Sequence, residues 1–183
     1  MKKLWAAALA AALVPAVTLT ARQAANPVTT AVRQQVAMHA RIMTAAAEEM
    51  PADKYSYKPT PAQMSFGHLI MHVGQSNDFL CSKISGEPAP KGPKLTETSP
   101  KAELITALKA SFSYCDSALG KLDDSTLSHE VTVFGGHSMS RAGAMIMLTG
   151  DLADHYSQQA MYLRLNGHLP PTAQRGGMGH KKK

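Results

Sequence analysis

Neither of the two cysteines, Cys81 and Cys115, belongs to a CxxC or CxxCH motif. That absence argues against thioredoxin-like redox chemistry and covalent haem attachment. After the first 25 residues no run of about 18 apolar residues occurs, so nothing in the body of the chain reads as a membrane span. No clustered basic stretch interrupts the body either, which argues against a nucleic-acid partner. The formal charge of +6 is carried largely by the ends, with Lys2 and Lys3 at one and Lys181, Lys182 and Lys183 at the other. Between them the chain is close to neutral. No internal repeat is visible, and no residue stands out as a nucleophile or general base.

What is present begins with a leader-like segment. Lys2 and Lys3 precede an apolar, Ala-rich run from Leu4 to Leu19, followed by the small residues Thr20, Ala21, Ala24 and Ala25. This order is that of a secretory signal peptide. Residues 1–23 are therefore expected to be cleaved, with the cut between Thr20 and Ala25, giving a periplasmic or secreted protein with no stable membrane anchor. Residues 27–172 would form the folded domain, and 173–183 a solvated, disordered basic tail.

Four segments carry helical periodicity. In the first, Val28 to Met50, apolar positions recur by threes and fours at Val32, Val36, Ile42, Met43 and Ala46. In the second, Thr60 followed by Pro61 and Gln63 predicts a capped helix from Pro61 to about Ser85, closed by Gly86. The tyrosine- and proline-bearing stretch before it reads as an extended connector. A loop of about a dozen residues rich in Pro, Lys and Thr follows. Ser99 and Pro100 then predict a third helix reaching about Leu122. Residues 123–139 read as a loop with one short extended piece. The fourth helix should start at Ser138 or Ser140 and run to about Asn166, where Gly167, Pro170 and Pro171 stop it. The expected fold class is all-α, a four-helix bundle. The long connector between the second and third helices can span the bundle, so those two helices can run parallel.

The fourth helix carries the chemistry. Its apolar stripe is Ala144, Met145, Leu148, Leu152, Tyr162 and Leu163, with His155 and Gln159 near the centre and Asp151 at the edge. Asp151 and His155 are four apart, one turn above the other on one face. Such a pair can grip one metal ion, or it can be a buried histidine oriented by a carboxylate. On the second helix, His72 lies on the flank of the Leu69–Val73–Leu80–Ile84 stripe, and His68 lies further out as a solvated residue. A bundle core builds metal sites from facing helices, and three protein ligands leave a position open. His39 on the first helix reads as a satisfied core or boundary residue, with an approach to the site as the alternative. Gln158, Gln159, His68 and His137 are further candidates for lining the site. Arg164 reads as a packing or salt-bridge residue at the helix end, and the 11 methionines as core filler.

The stretches FGHLIMHVGQSNDFLCSKISGEP and DLADHYSQQAMYLRLNGHLPP together resemble the DinB-like family of small four-helix metalloproteins. The resemblance covers nearly the whole chain after the leader. It implies an up-down-down-up bundle and a divalent metal (zinc, nickel, manganese or iron) held by one histidine of the second helix and an i,i+4 histidine pair of the fourth. His72 matches the first, His155 the later member of the pair, and Asp151 stands where the earlier histidine would be. Asp151 is a harder donor than imidazole and can change the preferred metal. The function so implied is a metal-dependent hydrolase or transferase acting on a small molecule. Some relatives use low-molecular-weight thiols, which are cytosolic, so an exported chain disfavours the transferase. The alternative is a non-catalytic exported binding or stress protein with a degenerate metal site. A Met/His haem bundle is a third class, and a homodimer is left open.

Cys81 and Cys115 test the topology. Antiparallel second and third helices would place them on the order of 18 Å apart in height, too far for a bridge. Parallel helices bring them within about 6 Å. An exported protein with two cysteines can then form a disulfide; two inert buried thiols are the alternative.

Overall fold

The structure is a computed structural model that describes residues 26–174. The expected signal peptide and all but the first two residues of the expected tail lie outside them. Four long helices form the body: α1 Pro27–Glu49, α2 Phe66–Ser85, α3 Lys101–Leu119 and α4 Arg141–Leu165, followed by the short α5 Pro171–Gln174. A two-stranded antiparallel hairpin, β1 Glu130–Thr132 and β2 Ser138–Ser140, fills the α3–α4 connection. None of the described helices is long and apolar enough to cross a membrane.

The helices run up, down, down, up. α2 and α3 are parallel, because Asn77 Nδ2 donates to Ser111 Oγ at 3.1 Å and Cys81 is bonded to Cys115, both pairs separated by 34 residues. α1 runs against α3, as the Arg33–Asp116 and Glu48–Lys109 ion pairs require. α2 runs against α4, with Phe66 beside Tyr162 and His72 beside His155. α1 and α2 each border α3 and α4. The interior is filled by Val36, Met43, Phe66, Ile70, Leu80, Leu108, Met145, Leu148, Leu152 and Leu163 among others. The predicted stripes of α1, α2 and α4 are therefore the buried ones.

Two helix starts differ from expectation. α2 begins at Phe66, not Pro61, and its N-cap is Ser65, whose Oγ accepts from the His68 N–H at 3.1 Å. Thr60 closes only a turn, accepting from the Gln63 N–H at 3.1 Å. The preceding connector is not simply extended: it forms a 3-10 turn at Ala52–Lys54 and folds back. There the Tyr57 and Tyr55 carbonyls take the Phe66 and Gly67 N–H groups at 3.1 and 2.7 Å. These bonds, with burial of Phe66, outweigh the local signal at Thr60. Gly67 is required by this close approach, since a Cβ there would lie 2.5 Å from the Glu97 carbonyl oxygen. α3 starts at Lys101 with Pro100 as N-cap, because the Ser99 hydroxyl is engaged with the Thr96 N–H at 3.0 Å. α3 also ends at Leu119, three residues short of the expected Leu122. Gly86 and Ser140 end α2 and start α4 as expected, with Gly86 left-handed at φ 80°.

The α1 start is capped from a distance. The Asp124 carboxylate accepts from the Val28 and Thr29 N–H groups at 2.8 and 3.0 Å and from the Thr29 hydroxyl at 2.6 Å. Asn26 returns the bond by accepting from the Asp124 N–H at 2.7 Å. These contacts satisfy N-terminal donors that have no partner inside the helix.

The Cys81–Cys115 bridge joins two fully buried residues with Cα atoms 5.3 Å apart. Removing it by Cys81→Ala/Cys115→Ala should cost about 3–4 kcal/mol, the chain-entropy value for a loop of this length. Denaturant titration of wild type and double variant measures the difference. Two titratable thiols per unfolded, unreduced chain would contradict the bridge.

Candidate metal centre

The rotational setting of α4 is fixed by its apolar stripe and by the Tyr162 hydroxyl, which donates to the Met64 carbonyl at 2.7 Å. This setting turns His155 inward, 7 % exposed, and leaves Asp151 half-buried one turn earlier. His155 Nε2 lies 3.3 Å from Asp151 Oδ1. On α2, burial of Leu69, Ile70 and Val73 leaves the half-buried His72 on the flank that faces α4. Its ring meets that of His155 edge to face, with centroids 4.9 Å apart at 86°.

One ligand atom each from His72, Asp151 and His155 lies within 4.8 Å of the others, the one such group among the described residues. Two ligands on one ion at about 2.1 Å in tetrahedral geometry stand about 3.4 Å apart. The Asp151–His155 pair already has that spacing, while a pair at the 4.8 Å limit must close by about 1.4 Å. Asp151 Oδ2 is buried and has no hydrogen-bond partner. Burial, with the neighbouring His155 adding to it, pushes the His72 pKa below the usual imidazole value. A neutral imidazole presents the lone pair that a metal needs. The donor set of two imidazoles and a carboxylate fits a borderline divalent ion such as zinc, iron or manganese.

The supporting shell is polar. Ser76 Oγ lies 3.5 Å from His72 Nε2. His155 Nδ1 lies 3.4 Å from Gln158 Nε2, which itself donates to Asp154 Oδ2 at 2.9 Å. Asp154 Oδ2 is also 4.0 Å from His155 Nδ1. Ligation through Nε2 would place the proton on Nδ1, where the oxygen of the flipped Gln158 amide can accept its hydrogen bond. Gln159, one turn beyond His155, is fully buried with neither amide atom hydrogen-bonded.

The other candidates fall outside the group of three. His39 is buried, with Nδ1 donating to the Gln35 carbonyl at 2.9 Å, as a satisfied histidine would. His68 pairs with Glu97 at 3.4 Å. His137 is exposed beside the hairpin turn. Arg164 is exposed, and its guanidinium reaches back to the Ala160 carbonyl at 3.3 Å. Ser76 and Asp154 are contributors the sequence did not single out. Their signal is positional: Ser76 is one turn from His72, and Asp154 adjoins His155.

The sequence matches the DinB superfamily over residues 35–159. No curated protein matches it. Among solved structures, the fold is similar to a DinB-like protein from Bacillus subtilis at 22 % identity and TM-score 0.62, covering 75 % of this chain and 92 % of that one. A DinB-like protein from Bacillus cereus is similar at 13 % identity and TM-score 0.65, covering 76 % and 93 %. A mycothiol-dependent maleylpyruvate isomerase is similar at 16 % identity and TM-score 0.58, covering 69 % of this chain but 58 % of that one. At these identities the likeness is one of fold.

Asp151→His should convert the donors to three imidazoles and tighten zinc binding about tenfold or more, the size of effect expected for changes at a metal's ligand shell. Competition against a chromophoric chelator reads this directly. Unchanged binding would mean that position 151 does not face the ion, and weaker binding that the carboxylate is the better donor there.

Proposed function

This chain belongs to the DinB superfamily, and we propose that it is an exported member that holds one divalent metal ion at His72, Asp151 and His155 and acts with it on a small molecule. The observation that carries this reading is the convergence of three donors from two helices, one of them a carboxylate with a buried oxygen that nothing among the described residues satisfies. Such an oxygen is costly to leave unpaired, and a cation is the partner its charge calls for. A bound ion of this class supplies Lewis-acid polarisation or a more acidic bound water. The chain's own part is to orient the two imidazoles through Ser76, Gln158 and Asp154, and to leave a coordination position free, since only three side chains contribute.

Of hydrolysis and group transfer, the proposal favours hydrolysis. The mycothiol-dependent neighbour works with a low-molecular-weight thiol, and an exported chain is separated from cytosolic thiols. Export itself rests on the Lys2–Lys3 start, the apolar run and the small residues after it.

A second reading follows from Asp151. The 3.3 Å Asp151–His155 contact is also that of a self-contained pair, so a non-catalytic bundle without metal has a physical basis. Elemental analysis separates the two. Protein purified from the exported fraction should carry about one divalent ion per chain, and His72→Ala or His155→Ala should lose it. Metal-free wild type that melts at the same temperature with or without added zinc would favour the second reading. N-terminal sequencing of the exported material should begin between Ala21 and Asn26. Full-length chain confined to the cytosol would overturn export alone.

A further inference from the structure

A second site lies away from the metal donors, between the parallel helices α2 and α3 and beneath the crossover that joins them. There a cavity of about 120 Å³ is bounded by Ile70 and Gly74 of α2, Leu104 and Leu108 of α3, and Pro93 of the crossover. None of His72, Asp151 and His155 lines it. The space exists because small residues face each other under the strap. Gly74 is one, and Ala107 and Ala110 are two more. A Cβ on Gly74 would meet Ser111 Oγ and Leu108 Cα at 3.9 and 4.0 Å, ordinary contact distances, so helix packing alone does not require the glycine. Glycine inside a helix is unfavourable relative to alanine.

One ionisable side chain lines this apolar space, Asp78 of α2. Its Oδ1 is buried with no hydrogen-bond partner, and no cation of the described residues pairs with it. Lys83 sits over the Phe79 ring, and Lys91 and Lys94 of the crossover are exposed and do not line the cavity. The nearby Tyr114 hydroxyl is turned away, donating to the Glu87 carbonyl at 2.8 Å. Desolvation correspondingly pushes the Asp78 pKa up. A carboxylate in an apolar pocket with no counter-ion is complementary to a ligand that brings a positive charge and hydrogen-bond donors together. An apolar cavity of about 150 Å³ accepts benzene, so this one takes about four or five carbons.

We propose that this cavity binds a small primary amine, its ammonium group on Asp78 and its short hydrocarbon chain between Ile70, Leu104 and Leu108 under Pro93. The crossover is then a cover for the ligand as well as a connection. The site is independent of the metal reading, since its residues and its test do not involve the metal donors.

The probe is n-butylamine, titrated into the full mature chain and followed by two-dimensional amide NMR, with n-butanol and butyrate as isosteric controls. Butylammonium should bind saturably, with a dissociation constant on the order of 1 mM for so small a ligand. Shifts should concentrate on α2, α3 and the crossover around the cavity. Butanol should bind about tenfold more weakly, and butyrate not at all, because only the ammonium makes a charge-assisted bond. Asp78→Asn should weaken butylammonium by about tenfold or more, while melting no lower than wild type because an unpaired, half-buried charge has been removed. Ala107→Leu, which fills the space and leaves Asp78 in place, should abolish binding. Equal binding of amine and alcohol, retention in Asp78→Asn, or retention in Ala107→Leu would each overturn the proposal. Absence of saturable binding by the wild type would do the same. If Asp78→Asn does not fold, the Ala107→Leu result decides.

Discussion

The parallel register of α2 and α3 sets much of the rest of the molecule. With a constant offset of 34 residues, the Asn77–Ser111 hydrogen bond and the Cys81–Cys115 bridge lock the two helices side by side. A parallel pair cannot be joined by a tight turn, so the chain must return along the length of the bundle between Gly86 and Pro100. That return runs past the start of α2. There Glu97 accepts from the Ser65 hydroxyl at 2.8 Å, and its carbonyl passes close to Gly67. The N-terminal end of α2 is thereby held at both sides, by the Tyr55 and Tyr57 carbonyls and by the returning strand. With α2 fixed in height and rotation, His72 can meet only the part of α4 that carries Asp151 and His155.

The candidate metal centre exploits a different property of the bundle. Most inward positions are apolar, and the buried surface makes each polar exception expensive unless it is paired. His39 is paired with a backbone carbonyl and is structural. His155 is paired with Asp151 and backed by Gln158. Asp151 keeps one buried oxygen without a partner among the described residues, so those residues alone do not close the centre. A carboxylate oxygen left so beside two imidazoles is what a bound cation would satisfy. Asp151 in place of a histidine need not abolish metal binding: a carboxylate offers two oxygens and a full charge where imidazole offers one lone pair.

Much of this was legible in the sequence, and the failures have physical causes. The α4 stripe and its Asp151–His155 spacing are properties of one helix, so 100° periodicity suffices to find them. The facing of His72 and His155 required the topology, which the long proline-rich connector permitted and the resemblance to the DinB-like family implied. The sequence alone places the start of α2 five residues early because Thr60, Pro61 and Gln63 make a good local cap, whereas the start at Ser65 wins because its hydroxyl binds Glu97 and the Phe66 and Gly67 N–H groups go to the Tyr57 and Tyr55 carbonyls. Capping of α1 by Asp124 was invisible for the same reason, the two lying nearly a hundred residues apart. The hairpin at residues 130–140 shows in the sequence only as a loop with one short extended piece, since its second strand, Ser-Met-Ser, has no β-branched residue to mark it. Ser76 and Asp154 were missed because a supporting residue carries no spacing signature of its own.

The central claim is that His72, Asp151 and His155 share one ion. Anomalous diffraction from crystals of the zinc-loaded protein, collected at the zinc edge, tests it most directly. The account predicts a single strong peak within about 2.2 Å of one atom from each of the three side chains. A peak ligated instead by His68, His137 or His168, or no ordered peak between α2 and α4, would contradict it.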